Sequence, residues 1–181
     1  MPAESLPGSA LSLEPIVEIL QQTPRILQAW LEAAPRESLD WKPKPERWSI
    51  SEVLAHLKDV EVNCFRLRAH RYFQEAAPEF EPYDQNQKSA AGLYTGRDPR
   101  KSLADFTRER AESLELLKNV APDLLARRAR HPKLGGFTLA EMLNEWAFHD
   151  LGHIRQIAEL YRARVFWPAM GPTQQSYTIN P

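Results

Sequence analysis

Apolar residues recur at the three-and-four spacing of a one-sided helix in four separate stretches of the chain. The first runs from Leu13 to Ala34 and places Ile26, Leu27, Trp30 and Leu31 on one face. Pro24 predicts an interruption there, with Thr23 capping the second piece and the proline tolerated at its first position, where its missing N–H would be unpaired anyway. The second opens at Ser49-Ile50-Ser51-Glu52, where the Ser49 hydroxyl can accept from the Glu52 N–H and the Glu52 carboxylate from the Ser49 N–H. Its predicted buried stripe is Val53, Leu57, Val60, Cys64 and Leu67. The third starts at Asp98-Pro99, carries Leu103, Phe106, Leu114 and Leu117, and ends near Pro122; its Arg108, Glu109, Arg110 and Glu112 read as solvent-face charge. The fourth repeats the capping pattern at Thr138-Leu139-Ala140-Glu141 and runs to about Tyr161, with Leu139, Met142 or Leu143, Trp146, Ile157 and Leu160 as its stripe.

Four such helices bury their faces most simply against one another, so the pattern predicts an all-α fold, a four-helix bundle. A long loop from Ala77 to Arg97 separates helices two and three, and a non-helical tail from about Val165 to Pro181 either wraps the bundle or stays mobile. Trp41–Trp48 is a proline-rich connector, Met1–Gly8 a loose arm, and no strand-like alternation of useful length interrupts the helices. One domain is expected over 1–181, with its core at about 13–161.

Charge and cysteine use narrow the function. With 23 basic against 24 acidic residues the net charge is -1, which gives no field to gather nucleic acid or an anionic membrane surface. The single cysteine, Cys64, forbids an internal disulfide and fits a reducing compartment. No signal peptide and no spanning apolar run are evident, so the expected location is cytoplasmic.

The chemistry gathers in helix four. His149 and His153 stand four apart, on one face with Cβ atoms roughly 6 Å apart, and they continue the buried stripe. Two imidazoles in a core need partners that Leu and Trp cannot supply, whereas one divalent ion satisfies both. His56, on the edge of the stripe of helix two, is the natural third ligand; His131, before a proline in a connector, is the reserve, and His70 reads as surface. Asp59, one turn from His56, and Asp150, beside His149, could each accept an imidazole N–H or serve as a plain surface ion pair, and Asn63, Glu52, Tyr83, Asp84 and Gln156 could reach the pocket from their helices or the long loop, though sequence alone does not bring them there.

Trp48-Ser49-x-x-Glu52-x-x-x-His56 together with His149-x-x-x-His153-x-x-Gln156 resembles the DinB-like (DinB/YfiT) superfamily over about Ile16 to Tyr161, and Asp84-Gln85 is similar to a motif of that family's long loop. The resemblance implies a four-helix bundle with a divalent ion on His56, His149 and His153. It also points to a small-molecule substrate with a low-molecular-weight thiol as cosubstrate, since relatives include S-transferases using bacillithiol or glutathione-like thiols and a mycothiol-dependent isomerase. Zn²⁺ or Ni²⁺ is the expected ion, with Fe²⁺ or Mn²⁺ as alternatives, because imidazole suits them all. Asp59 or Asp84 is the expected proton handler, and a homodimer through helix faces is expected from the same resemblance. The rival reading is a metal-binding or stress-response module without turnover. The proline-rich tail and the 78–96 loop depart from the family pattern.

Overall fold

The computed structural model describes residues 12–181; the arm expected at Met1–Gly8 lies outside them. Four long helical elements form the bundle: α1 (Glu14–Ala33), α3 (Ile50–Val60) continuing through a π-helical segment (Glu61–Arg66) into α4 (Leu67–Gln74), α6 (Pro99–Leu117) and α8 (Leu139–Tyr161). Short helices α2 (Arg36–Leu39), α5 (Gln85–Ala90) and α7 (Pro122–Leu125) lie in the connections. α3 packs on α6, while α1 packs on both α6 and α8. Both capping boxes form as their residues dictate, at Ser49/Glu52 and at Thr138/Glu141.

Pro24 does not interrupt the first helix: α1 is continuous, and Thr23 Oγ1 bonds back to the Ile19 carbonyl instead of capping a new start. A helical proline leaves the carbonyl four residues earlier without its N–H. That carbonyl is Leu20's, and Arg110 of α6 donates to it at 2.8 Å. The guanidinium takes the place of the missing amide, so the helix passes through the proline.

The π-helical segment explains a second departure. One extra residue in a turn rotates everything after it by about 100°. The buried face therefore moves from Val60 and Cys64 to Phe65, Arg68, Ala69 and Tyr72, and the predicted stripe residue Leu67 is 53% exposed.

Connections expected to be irregular are partly regular. Arg128–His131 (β1) and Gly135–Thr138 (β2) form a two-stranded antiparallel hairpin, contrary to the expectation of no strands. The tail beyond α8 carries a π turn (Arg162–Phe166) and two 3-10 turns (Trp167–Ala169 and Gly171–Ser176) before its last residues return to the bundle. No helix among the described residues is long and apolar enough to cross a membrane.

The core has two apolar clusters. One holds Leu20, Val60, Phe65, Tyr72, Leu139, Met142 and Trp146; the other holds Leu27, Leu31, Leu54, Leu57, Leu103, Phe106, Ile157 and Leu160. Along the helices, Asp59 falls between Leu57 of one cluster and Val60 of the other, Arg110 between Phe106 and Leu117, and His149, Asp150 and His153 between Ala147 and Ile157, with His56 and Glu61 flanking the same junction. The bundle is thus crossed by a polar layer at mid-height.

Candidate metal centre

In that layer His56 of α3 meets His149 and His153 of α8. The Nε2 atoms of His56 and His149 are 3.3 Å apart, and those of His149 and His153 are 3.2 Å apart. Two nitrogens each about 2.0–2.1 Å from one tetrahedral ion lie about 3.3–3.4 Å apart, so the spacing fits a shared divalent ion. Two of the three outer nitrogens support the same assignment, while His149 Nδ1 is buried and meets no partner among the described residues. His153 Nδ1 is 2.8 Å from Gln156 Oε1, and His56 Nδ1 is 3.4 Å from the Tyr94 hydroxyl, so each is placed to donate its Nδ1–H and turn the Nε2 lone pair inward. Three inward nitrogens at this range cannot all be satisfied by one another, because neutral imidazole has a single N–H. A cation satisfies all three.

Burial pushes the same way. His56 is fully buried, and burial followed by the nearby imidazoles lowers its pKa to about 2; burial and then His153 lower that of His149 to about 3. His153 is also lowered, first by burial. All three rings are therefore neutral near pH 7, the form that ligates. The sign for stability follows. An unfolded chain binds protons on these histidines below about pH 6.5, while in the metal-free fold His56 and His149 do not and His153 does so less readily, so folding weakens as pH falls, by up to about 1.4 kcal/mol per pH unit for each of His56 and His149. Denaturant midpoints of the metal-free protein should fall steadily from pH 7 to pH 5; a flat profile would contradict this account of the cluster.

Around the histidines the long loop is ordered by the bundle. The Trp48 ring lies 4.8 Å from His56 and 6.4 Å from His153, centroid to centroid, and its Nε1–H donates to Ser89 Oγ of α5. Thr95 donates to Glu52, which also pairs with Lys42 at 2.7 Å. Asp59 is the loop's main anchor, accepting from Asn63, Tyr83, Tyr94 and Lys88. Burial alone would raise its pKa, but those hydrogen bonds and the Lys88 charge outweigh it and keep the group ionised.

The structure thus places the expected residues unequally. His56, His149 and His153 converge, and Gln156 and Tyr83 join them directly or at one remove. Asp59 touches no imidazole; it reaches His56 through the Tyr94 hydroxyl. Asp84 is not brought to the cluster: its exposed carboxylate caps α5, accepting from the Asn86 and Gln87 N–H groups. Asp150 does not hold His149 either, because it is paired with Arg110 at 2.6 Å. His131 sits in β1, where Nδ1 accepts from the Lys133 and Leu134 N–H groups of the hairpin turn, and His70 is exposed.

Two residues of the layer escaped the sequence reading. Tyr94 stands in a glycine-rich stretch with no periodicity to mark it, yet it is buried. Arg110, read as solvent-face charge, is 1% exposed and uses all five N–H donors on Glu61, Asp150 and the Leu20 carbonyl. Its signal was present: Arg110 falls in phase with Leu103, Phe106 and Leu117.

Comparison with known proteins places this geometry. The family model described as the DinB superfamily matches residues 19–157. The chain belongs to the DinB superfamily. Within it, the chain is 27% identical over 152 residues to YfiT of Bacillus subtilis, covering 83% of this chain and 84% of that protein. It is 25% identical over 146 residues to a protein of Oceanobacillus iheyensis, covering 80% and 83%. Both are named for an inferred metal-dependent hydrolase activity. The solved structure of YfiT, described as a four-helix bundle of unusual topology, matches with a TM-score of 0.76 at 26% identity, covering 90% of this chain and 92% of that one. The DinB four-helix bundle anticipated from the motifs is therefore the fold.

Proposed function

We propose that the protein is a metal-dependent enzyme, of hydrolase or thiol-transferase type, in which His56, His149 and His153 hold one divalent ion. The observation that carries this reading is the convergence of the three Nε2 atoms beside a cavity: His56 lies behind His149 and His153, which line a space of about 620 Å³, within the range of small-molecule sites. A metal ion on three neutral nitrogens keeps an open position and lowers the pKa of a water or thiol placed there. The names of the relatives favour hydrolysis, and the family resemblance adds the thiol alternative.

The chain's own cysteine is not the nucleophile. Cys64 is buried, and burial raises its thiol to about 11, so almost none is thiolate at neutral pH. The nucleophile must come from water or a cosubstrate, and the residues around the cluster orient and exclude rather than attack. Trp48 and Phe65 cover the histidine rings, and Gln156 fixes His153. Asp59, in place of the direct proton transfer first expected of it, acts as a positioning residue: it holds the Tyr94 hydroxyl so that its lone pair faces His56 Nδ1–H. A location in the cytoplasm agrees with the unpaired Cys64.

Removing that link should weaken the ion without unfolding the chain. Tyr94→Phe keeps the ring and loses the hydroxyl, and partners of this kind are typically worth about 10–100-fold in metal affinity or activity. Competition with a chromogenic chelator measures the change; a Tyr94→Phe protein with wild-type affinity would remove Tyr94 and Asp59 from the site. Turnover itself is tested by offering the metal-loaded protein ester and amide substrates, then electrophiles with a low-molecular-weight thiol, against His56→Ala as control.

A further inference from the structure

One face of α8 is left to solvent. Glu145, Phe148, Leu151, Gly152 and Arg155 share an arc of about 120° of the helix surface. Phe148 is 79% exposed and Leu151 47%. A Cβ built on Gly152 would meet nothing within 4 Å, so the helix surface beside Phe148 is open. The charges of this face are unspent as well. Asp150 pairs with Arg110, Glu159 with Arg162, and Glu141 closes the Thr138 cap, whereas Glu145 and Arg155 have no side-chain partner among the described residues.

The order along the face is acidic, apolar, basic, and it is symmetric. Glu145 and Arg155 stand five positions either side of Asp150, and Phe148 and Gly152 two positions either side. Turning a second copy by half a turn about an axis normal to the helix at that height lays the two α8 helices antiparallel. Glu145 then meets the partner's Arg155, and Phe148 lies over the bare backbone of the partner's Gly152, each contact occurring twice. The two Leu151 side chains meet close to the axis. Glu141 and the partner's Glu159 fall on the same line at the ends, about 13 Å from the axis. Helices that cross at about 20–50° diverge there, and Glu159 is held by Arg162 with its other oxygen buried in its own copy.

We infer that this face of α8 is the contact with a second copy of the chain, and that the partner's helix supplies the outer wall of the histidine cavity. Glu145, Phe148, Gly152 and Arg155 also line that cavity beside His149 and His153, so the partner's Phe148, seated on Gly152, stands at its mouth. An exposed aromatic anchor facing a gap of its own shape, flanked by matched charges, is the composition of an interface centre. The pairing does not require the ion; the part it plays in the site rests on the metal-centre reading.

Sedimentation velocity of the full chain from low to high micromolar concentration, with and without loaded Zn²⁺, should show a monomer–dimer equilibrium. Phe148→Ser should weaken the dimer about a hundredfold or more, because the anchor is lost twice. Glu145→Arg and Arg155→Glu should each weaken it about tenfold, through two like-charge pairs, and the double variant should recover most of that loss. Gly152→Gln has room in a single copy and should also dissociate the pair. A monomer at every concentration, or a dimer indifferent to Phe148→Ser, overturns the surface. Single charge variants that leave the dimer intact, or a double variant no better than either, overturn the antiparallel register. The substituted side chains are exposed, so the core stays intact, which circular dichroism checks. For the wall, a chelator should strip Zn²⁺ severalfold faster from protein diluted below the dissociation point than from the dimer; equal rates overturn the shielding. A metal-loaded monomer removes the pairing alone, and a dimer that follows the charge swap in protein taking up no ion removes the metal centre alone.

Discussion

Replacing Arg110 with alanine is expected to destabilise the fold by about 3–5 kcal/mol, a large part of the total stability of a domain this size. The guanidinium neutralises two buried carboxylates, Glu61 and Asp150, and Glu61 also accepts from Trp146 Nε1–H. Without it both charges stay buried and unpaired, and the Leu20 carbonyl, already deprived of an amide by Pro24, loses its last donor. A denaturation series tests the size of the effect. Pro24→Ala tests its cause, because the restored N–H at position 24 can bond Leu20. In the Pro24→Ala background the cost of Arg110→Ala should fall by roughly 1 kcal/mol. Strict additivity of the two substitutions would show that the proline and the arginine are not coupled.

The second large effect is loss of the ion. His149→Ala or His153→Ala removes one of three nitrogens, and metal content should drop from about one ion per chain to a small fraction of that while the helical circular dichroism persists. His149 and His153 are only partly buried and sit at the cavity wall, so truncating either leaves both apolar clusters packed. His56→Ala should lose the ion too but with a greater stability cost, because His56 is fully enclosed between Trp48 and Tyr94. Undiminished metal in the His149→Ala and His153→Ala proteins would refute the ligand assignment.

The helices and the three histidines were legible because each rests on a local rule. Capping boxes at Ser49 and Thr138 mark starts, stripes mark inward faces, and an i, i+4 pair on such a face puts two imidazoles together whatever the rest of the chain does. What was not legible depends on contacts made far along the chain. Pro24 breaks a helix by local logic, and only an arginine from a different helix, 86 positions on, cancels the break. Leu67 fits the stripe until the wide turn at Glu61–Arg66 shifts the register, which no periodicity count anticipates. Asp59 and Asp84 looked alike as carboxylates near the site. Their roles separate only once the 77–97 loop has folded, with one gathering Tyr83, Tyr94 and Lys88 and the other spent on the end of α5.

Tyr94 is the instructive omission. Nothing in Leu93-Tyr94-Thr95-Gly96 announces a site, and the residue matters only because Asp59 and His56 are waiting where the loop lands. Polar layers inside bundles are built this way, from donors and acceptors whose pairing spans the whole chain.

Elemental analysis of protein purified without a metal-binding tag tests the central claim most directly. The account predicts about one divalent ion per chain, or stoichiometric uptake of Zn²⁺ or Ni²⁺ by metal-free protein in a micromolar titration at pH 7.5, with uptake declining as the buffer is acidified below about pH 6.5. Protein that carries no ion and takes up neither metal under these conditions would contradict it.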